Sequence, residues 1–105
     1  MVRVHIWLKK KESMTVEEFT DYWVNQHAHI ARDGYENLKG YVVTLVTRVP
    51  DGQTAAYDGV AELTWDDRDG FKADMGSDAN ARATQDLKEF TSGVGLLFVE
   101  HHIVK

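Results

Sequence analysis

The stretch Thr15–Ile30, TVEEFTDYWVNQHAHI, decides the fold, because it predicts one amphipathic helix with a well-defined start. Thr15 stands in the N-cap position and Glu18 follows three residues later, which is the pattern of a reciprocal capping box. We expect the helix to end near Gly34, because glycine is favoured just after the last helical turn.

A histidine lies on the apolar side of this helix. Phe19, Trp23 and His27 recur at four-residue steps and therefore share one side. His27 is either a packing residue, bonded to a backbone carbonyl or a tyrosine, or a general acid/base at the rim of a pocket. Its ordinary pKa of about 6.5 suits proton transfer at neutral pH. The spacing alone leaves both interpretations open.

The bulk composition predicts one globular domain over residues 1–105. Hydrophobic residues make up 43% and charged residues 28%, which is typical of a water-soluble protein. A net charge of -5 argues against a nucleic-acid partner.

The chain has no cysteine, which excludes disulfides and thiolate chemistry and favours a cytoplasmic location. No apolar stretch approaches the roughly 20 residues of a membrane span and no signal peptide is recognised, so we expect no membrane partner.

Four stretches have the alternating or continuously apolar pattern of β-strands: Val2–Leu8, Tyr41–Arg48, Gly59–Trp65 and Leu96–Val104. A second helical region starts at Asp66-Asp67, which supply its N-cap and first-turn negative charge, is broken near Gly76 and resumes after Ser77. The order is βαββαβ, which predicts an α+β, ferredoxin-like fold with a four-stranded antiparallel sheet and two helices on one face.

Two of these strands are apolar at both odd and even positions, namely residues 42–46 and 96–99. Strands of this kind are buried on both faces of their sheet. Two helices can cover only one face, so the other face needs a second partner. We therefore predict a homodimer that forms through the open face of the sheet.

The string F-x-x-Y-W-x-x-x-H resembles the helix signature of the EthD family, which belongs to the dimeric α+β-barrel superfamily; its residues here are Phe19, Tyr22, Trp23 and His27. Residues 57–63 and 99–103 resemble the third and last strands of the family. His29 departs from the family pattern, because many relatives carry proline there. The resemblance implies one EthD-like domain over residues 1–105, with a small cavity between sheet and helices in each subunit.

The resemblance implies a proton-transfer enzyme that needs no cofactor and acts on a small apolar, cyclic or aromatic oxygenated compound. Dehydratase, lactone isomerase and polyketide-type cyclase are the reactions of this kind. His27 would move a proton next to a carbonyl, and Tyr41, at the start of the second strand, would hold the carbonyl oxygen. Tyr41 is otherwise a packing tyrosine with a wetted hydroxyl. An apolar wall would orient the ring, built from Trp7, Tyr22, Trp23 and Phe98.

Further polar candidates for substrate contact lie on the predicted strands: His5, Glu62, Glu100 and His102. A buried carboxylate needs a partner, so each glutamate is part of a site, lies at an exposed end of the sheet, or forms an ion pair with Arg3 or a lysine. His101 and His102 are otherwise part of a frayed strand end or a dimer contact.

The histidine spacing gives no metal site. His27 and His29 are two residues apart on a helix, and His101 and His102 alternate across a strand, so no set of three ligands is visible. We therefore expect neither a metal nor a cofactor. Two other functions stay open: a non-catalytic protein that binds a small molecule beside an oxygenase or degradation pathway, and a cofactorless quinol-type monooxygenase.

Overall fold

Four strands form one antiparallel sheet in the order β2-β3-β1-β4 in the computed structural model, which describes residues 1–105. The strands are β1 (Val2–Lys10), β2 (Leu38–Leu45), β3 (Gly59–Trp65) and β4 (Thr91–Phe98). The central strand β1 pairs with β3 on one side and β4 on the other. This is the predicted ferredoxin-like α+β arrangement.

The helices form a layer on one face of this sheet. The first run is continuous and comprises α1 (Val16–Tyr22), a π-helical segment (Trp23–His27) and α2 (Ala28–Gly34). The second comprises α3 (Arg68–Met75), α4 (Asp78–Asp86) and a short 3₁₀ turn (Leu87–Glu89). The side chains of Asp67 and Ser77 cap α3 and α4, and Gly76 separates these two helices, as predicted. No helix here has both the length and the apolar character that crossing a membrane requires.

Two strands begin and end earlier than predicted: β2 lies at Leu38–Leu45 instead of Tyr41–Arg48, and β4 at Thr91–Phe98 instead of Leu96–Val104. The end of β2 coincides with the start of its partner, because Leu45 pairs with Gly59, the first residue of β3. Phe98, the last residue of β4, pairs with Val4, and β1 extends two residues beyond that pair. The apolar pattern of each strand continues past its observed end.

Alternation along the strands gives the sheet two different faces. On β1, Val4 and Leu8 are buried against the helices, whereas His5 and Trp7 lie on the opposite, open face. The core between sheet and helices comprises Val4, Leu8, Phe19, Trp23, Ala31, Tyr35, Ala61, Leu63, Trp65, Ala79, Ala83 and Phe90.

The open face carries apolar side chains that a single subunit leaves uncovered. Val42 on β2 and Leu97 on β4 are each 56% exposed. The indole of Trp7 lies across β4 directly over Gly95, where any Cβ would collide with it. Glycine at position 95 is therefore required for Trp7 to lie flat on this face.

The start of α1 has both hydrogen bonds of the predicted capping box. The Glu18 N–H donates to Thr15 Oγ1 at 3.1 Å, and the Thr15 N–H donates to Glu18 Oε1 at 2.9 Å. Each bond satisfies a backbone N–H group that the first helical turn would otherwise leave unpaired.

Removing the capping hydroxyl should destabilise the fold. We expect Thr15→Ala to lower the free energy of unfolding by about 1 kcal/mol, because the first turn loses its side-chain acceptor. Urea denaturation followed by circular dichroism measures the change. Ser13→Ala is the control, since Ser13 is exposed and makes no side-chain hydrogen bond. Equal destabilisation of the two variants would show that the cap does not hold this helix.

Candidate functional site

An apolar cavity of about 130 Å³ lies between the helix-facing side of the sheet and the helices. Of its 19 lining residues 16 are hydrophobic, so any ligand inside meets few polar groups. Val94 and Leu96 of β4 line it although they are 42% and 47% exposed, which places an opening at this edge of the sheet.

Most polar groups on the cavity wall are already engaged with each other. The Tyr35 hydroxyl donates to Asn80 Oδ1 at 2.6 Å, and Asn80 Nδ2 donates to the carbonyl of Met75 at 2.8 Å. Burial raises the pKa of Tyr35 to about 12, so this hydroxyl keeps its proton. Tyr35 and Asn80 therefore have little hydrogen-bonding capacity left for a ligand.

His27 is the exception. Its Nδ1 lies 2.8 Å from Asp86 Oδ2, and its Nε2 has no hydrogen-bond partner in the protein. An ionised carboxylate only accepts hydrogen bonds, so Nδ1 carries the hydrogen and Nε2 presents a lone pair. His27 lines the cavity and is 7% exposed, so a ligand can meet this lone pair with little competition from water. This is the arrangement of a base oriented by a carboxylate.

The charge state of His27 suits the same role. Burial lowers the pKa of His27, and the hydrogen bond and negative charge of Asp86 oppose this effect without cancelling it. The imidazole is therefore predominantly neutral at neutral pH, which a general base requires.

Asp86 is held by a second donor. The Tyr22 hydroxyl donates to Asp86 Oδ1 at 2.7 Å, so each carboxylate oxygen has its own partner. Burial first, and then Asp86, raise the pKa of Tyr22 to about 12, which keeps this hydroxyl a donor. Phe90 packs against both rings, with centroid distances of 4.8 Å to His27 and 5.0 Å to Tyr22. The orientation of the imidazole is thus fixed by hydrogen bonds and by packing.

Tyr41 shares the cavity wall with His27. Its hydroxyl oxygen accepts the Trp23 indole N–H at 3.4 Å, which leaves the hydroxyl hydrogen available for a ligand. Burial raises the pKa of Tyr41 and the Trp23 hydrogen bond lowers it to a smaller extent, so the hydroxyl stays protonated. Trp23 reaches this place because Gly59 has no side chain; a Cβ there would lie 2.6 Å from the indole ring.

The π-helical segment brings Trp23 and His27 onto the same side. The Ala28 N–H reaches back five residues to the carbonyl of Trp23, which widens the turn. In a regular α-helix of 3.6 residues per turn, each four-residue step would rotate the side chain by about 40° from the previous one. The wider turn reduces this drift, so Phe19, Trp23 and His27 are all buried. π segments of this kind occur frequently at functional sites.

The other residues predicted to bind substrate do not line the cavity. His5, Trp7 and Glu62 lie on the open face of the sheet, and Tyr22 lies behind His27, against Asp86. Phe98 packs its ring on Phe71 and is 67% exposed. Glu100 and His102 lie beyond the last strand and face each other at 3.3 Å in solvent. Of the predicted set, the fold brings His27, Tyr41 and Trp23 together.

The sequence analysis missed Asp86. The signal for it was present, because Asp86 follows Ala83 by three residues and precedes Phe90 by four, which places it beside the buried side of the last helix. A carboxylate near an apolar helix side needs a donor, and the aromatic side of the first helix offers a histidine and a tyrosine.

The fold and the cavity together define a ferredoxin-like α+β protein with an internal apolar site on the helix side of its sheet. The EthD domain family model matches residues 11–93, so the chain belongs to the EthD domain family. No curated protein matches this chain.

Solved structures show the same fold. An ethyl tert-butyl ether D (EthD) family protein from Bacillus halodurans has a TM-score of 0.77 at 21% identity, over 97% of this chain and 100% of its own. A dimeric ferredoxin-like protein of unknown function from Bacteroides fragilis has a TM-score of 0.67 at 16% identity, over 95% of each chain. An antibiotic biosynthesis monooxygenase has a TM-score of 0.66 at 11% identity, over 98% of this chain and 100% of its own. At these identities the likeness establishes the fold alone.

The link between Asp86 and His27 is testable by titration. We expect Asp86→Asn to lower the pKa of His27 further, because the negative charge that favours the imidazolium is lost. An NMR titration of the His27 ring proton measures the shift. Asp78→Asn, an exposed change on the same helix, should leave this pKa in place. An unchanged or raised pKa in Asp86→Asn would contradict the geometry described here.

Proposed function

We propose that this protein is a proton-transfer enzyme that acts on a small apolar, cyclic oxygenated compound, with His27 as the general base. The observation that carries the proposal is the unpaired Nε2 of a neutral, Asp86-oriented imidazole on the wall of an apolar cavity. Family membership supports a role in small-molecule chemistry and does not name the reaction.

The size of the cavity limits the substrate. Its volume of about 130 Å³ is close to that of the roughly 150 Å³ apolar cavity that accommodates benzene. A compound with a single ring fits this space better than a polyketide chain that folds into several rings. Dehydration or lactone isomerisation of a single-ring compound is therefore favoured over polyketide cyclisation.

The proposed step uses two groups of the cavity wall. His27 Nε2 takes the proton from the carbon next to a carbonyl, the electron pair of that C–H bond forms the carbon–carbon double bond of an enolate, and the π pair of the carbonyl moves to its oxygen. The Tyr41 hydroxyl donates a hydrogen bond to the resulting enolate oxygen. The protonated His27 then returns the proton to the same carbon, to a different carbon or to a leaving hydroxide, which gives exchange, isomerisation or dehydration respectively. Asp86 stabilises the imidazolium between these steps.

Exchange of the acidic proton with solvent deuterium tests this step without knowledge of the physiological product. A panel of single-ring ketones and lactones in D₂O, monitored by NMR, should show enzyme-dependent exchange at the carbon next to the carbonyl. We expect His27→Gln to slow this exchange by about 10²- to 10⁴-fold, the usual contribution of a general base. His29→Gln is the matched control, because His29 is two residues away and does not line the cavity.

The pH dependence follows from the pKa of His27. Only the neutral imidazole accepts a proton, and the pKa of His27 is lowered from 6.5 by burial. Exchange should therefore stay constant from neutral pH down to below 6.5 and fall only as the pH drops through the lowered pKa.

Two outcomes would redirect the functional assignment. The probes could bind equally well to wild type and to His27→Gln, with neither protein exchanging their protons faster than buffer alone does. That result would overturn the enzyme proposal and favour a small-molecule-binding protein. Oxygen uptake with an anthrone-like phenol would favour a cofactorless monooxygenase; one protein of the same fold is described as an antibiotic biosynthesis monooxygenase.

We also propose that the chain forms a homodimer through the open face of its sheet. Val42 and Leu97 sit on the two outer strands of the sheet and are each 56% exposed, so apolar surface lies at both edges of this face, on either side of the polar pair His5 and Glu62. Exposed apolar patches of this kind mark interaction surfaces. A protein of the same fold from Bacteroides fragilis is described as dimeric, which agrees with this proposal.

A charge placed on the open face should separate the subunits. We expect Val42→Glu to convert the dimer to a monomer, because the new carboxylate would have to be buried at the interface directly beside Glu62, its like-charged cross-strand partner. Light scattering after size-exclusion chromatography measures the mass. Val16→Glu is the matched control, since Val16 is 55% exposed at the start of α1, where an acidic residue is tolerated. A Val42→Glu protein that remains dimeric would place the interface elsewhere.

A further inference from the structure

Three potential metal ligands meet on the open face of the sheet, on the other side from the cavity. His5 on β1 and Glu62 on β3 are direct cross-strand partners, so the backbone fixes their side chains next to each other. His101 comes from the segment after β4, which folds back after the Val99 N–H bonds to the carbonyl of Arg3 at 3.1 Å. The ligand atoms of the three residues all lie within 4.8 Å of one another.

The distances from Glu62 Oε2 to the two imidazole nitrogens match those between ligands of one metal ion. His5 Nε2 lies 2.8 Å and His101 Nε2 lies 3.1 Å from the same oxygen, Glu62 Oε2. Two ligands bound at about 2.1 Å to one metal are roughly 3.0 Å apart at right angles and 3.4 Å apart in a tetrahedron. The same distances suit two hydrogen bonds, which need a proton on each Nε2. A metal ion would replace both protons and meet all three atoms at once.

The guanidinium of Arg3 lies beside the second oxygen of Glu62. Arg3 Nε lies 3.6 Å from Glu62 Oε1, and this Nε is buried and has no hydrogen-bond partner. A carboxylate that binds a metal through one oxygen is commonly fixed by a partner on the other. Arg3 is thus placed to orient Glu62 so that Oε2 points at the two imidazoles.

The ligand types select the class of metal. Imidazole nitrogen suits zinc and the neighbouring first-row metals, whereas Mg²⁺ and Ca²⁺ prefer sets made of oxygen ligands alone. Two histidines and one carboxylate bind Zn²⁺ or Fe²⁺ while leaving coordination positions for water or a small ligand. We propose that His5, Glu62 and His101 form a binding site for one divalent first-row transition-metal ion per chain, with Zn²⁺ as the preferred probe.

The sequence analysis expected no metal site because no three ligands share a local spacing. Residues 5, 62 and 101 come from three separate segments, and only the antiparallel register of β1 with β3 and the return of the chain after β4 bring them together. The site shares no residue with the cavity wall.

Metal titration of the full chain tests the proposal. Protein made with a histidine-free tag is stripped with a chelator and titrated with Zn²⁺ by calorimetry, and Co²⁺ absorption reports the ligand set. Wild type should bind one ion per chain. His101→Ala should weaken binding by at least about 10- to 100-fold, since even the loss of an outer-shell partner costs that much. His101 lies outside the strands and is exposed, so this variant keeps the fold.

A neighbouring histidine provides the matched control. His102 is in the same terminal segment but faces Glu100 in solvent, so His102→Ala should keep the wild-type affinity and stoichiometry. Glu62→Gln should weaken binding as His101→Ala does. The absence of saturable binding at one ion per chain would overturn the proposal. Unchanged binding in His101→Ala, or equal losses in His101→Ala and His102→Ala, would overturn it as well, because the ion would then sit elsewhere.

Discussion

The carboxylate of Asp86 is the contact on which the rest of the site depends. One oxygen accepts from the Tyr22 hydroxyl and the other faces His27 Nδ1. A single side chain of α4 therefore binds both the residue just before the π segment and the last residue of that segment. A partly buried carboxylate is stable here only because it has these two donors. The same contact fixes the tautomer of His27 and so decides which nitrogen is left with a lone pair. Helix packing and the proposed proton transfer therefore depend on the same interaction.

The unusual helix geometry follows from the same constraint. Phe19, Trp23 and His27 are buried at four-residue steps, and a regular α-helix would carry the last of them away from the core. The π segment absorbs the mismatch at a cost in backbone hydrogen-bond geometry. That cost is offset because the segment places an indole against Gly59 and an imidazole against Phe90 in the same layer.

The sequence predicted those features of the fold that neighbouring residues determine. It did not reveal the contacts that form between segments far apart in the chain. The capping box, the helix end at Gly34 and the third strand at Gly59–Trp65 all follow from neighbouring residues, and the structure has each of them. The end of β2 coincides with the start of its partner β3, which no pattern within β2 records. Asp86 went unnoticed for a related reason. Its role arises from two donors more than fifty residues away in the chain.

The alternation of side chains along the strands places the apolar cavity on one face of the sheet and the polar cluster of His5, Glu62 and His101 on the other. On β3, Ala61 and Leu63 face the cavity side and are buried, while Glu62 between them points to the open face. A change at Glu62 therefore leaves the apolar wall intact, and a change at His27 leaves the open face intact. A one-residue slip in the register of β3 would exchange these environments, burying a carboxylate under the helices and exposing two core residues. The pairing of β3 with both β1 and β2 opposes that slip, so it preserves the cavity and the polar cluster together.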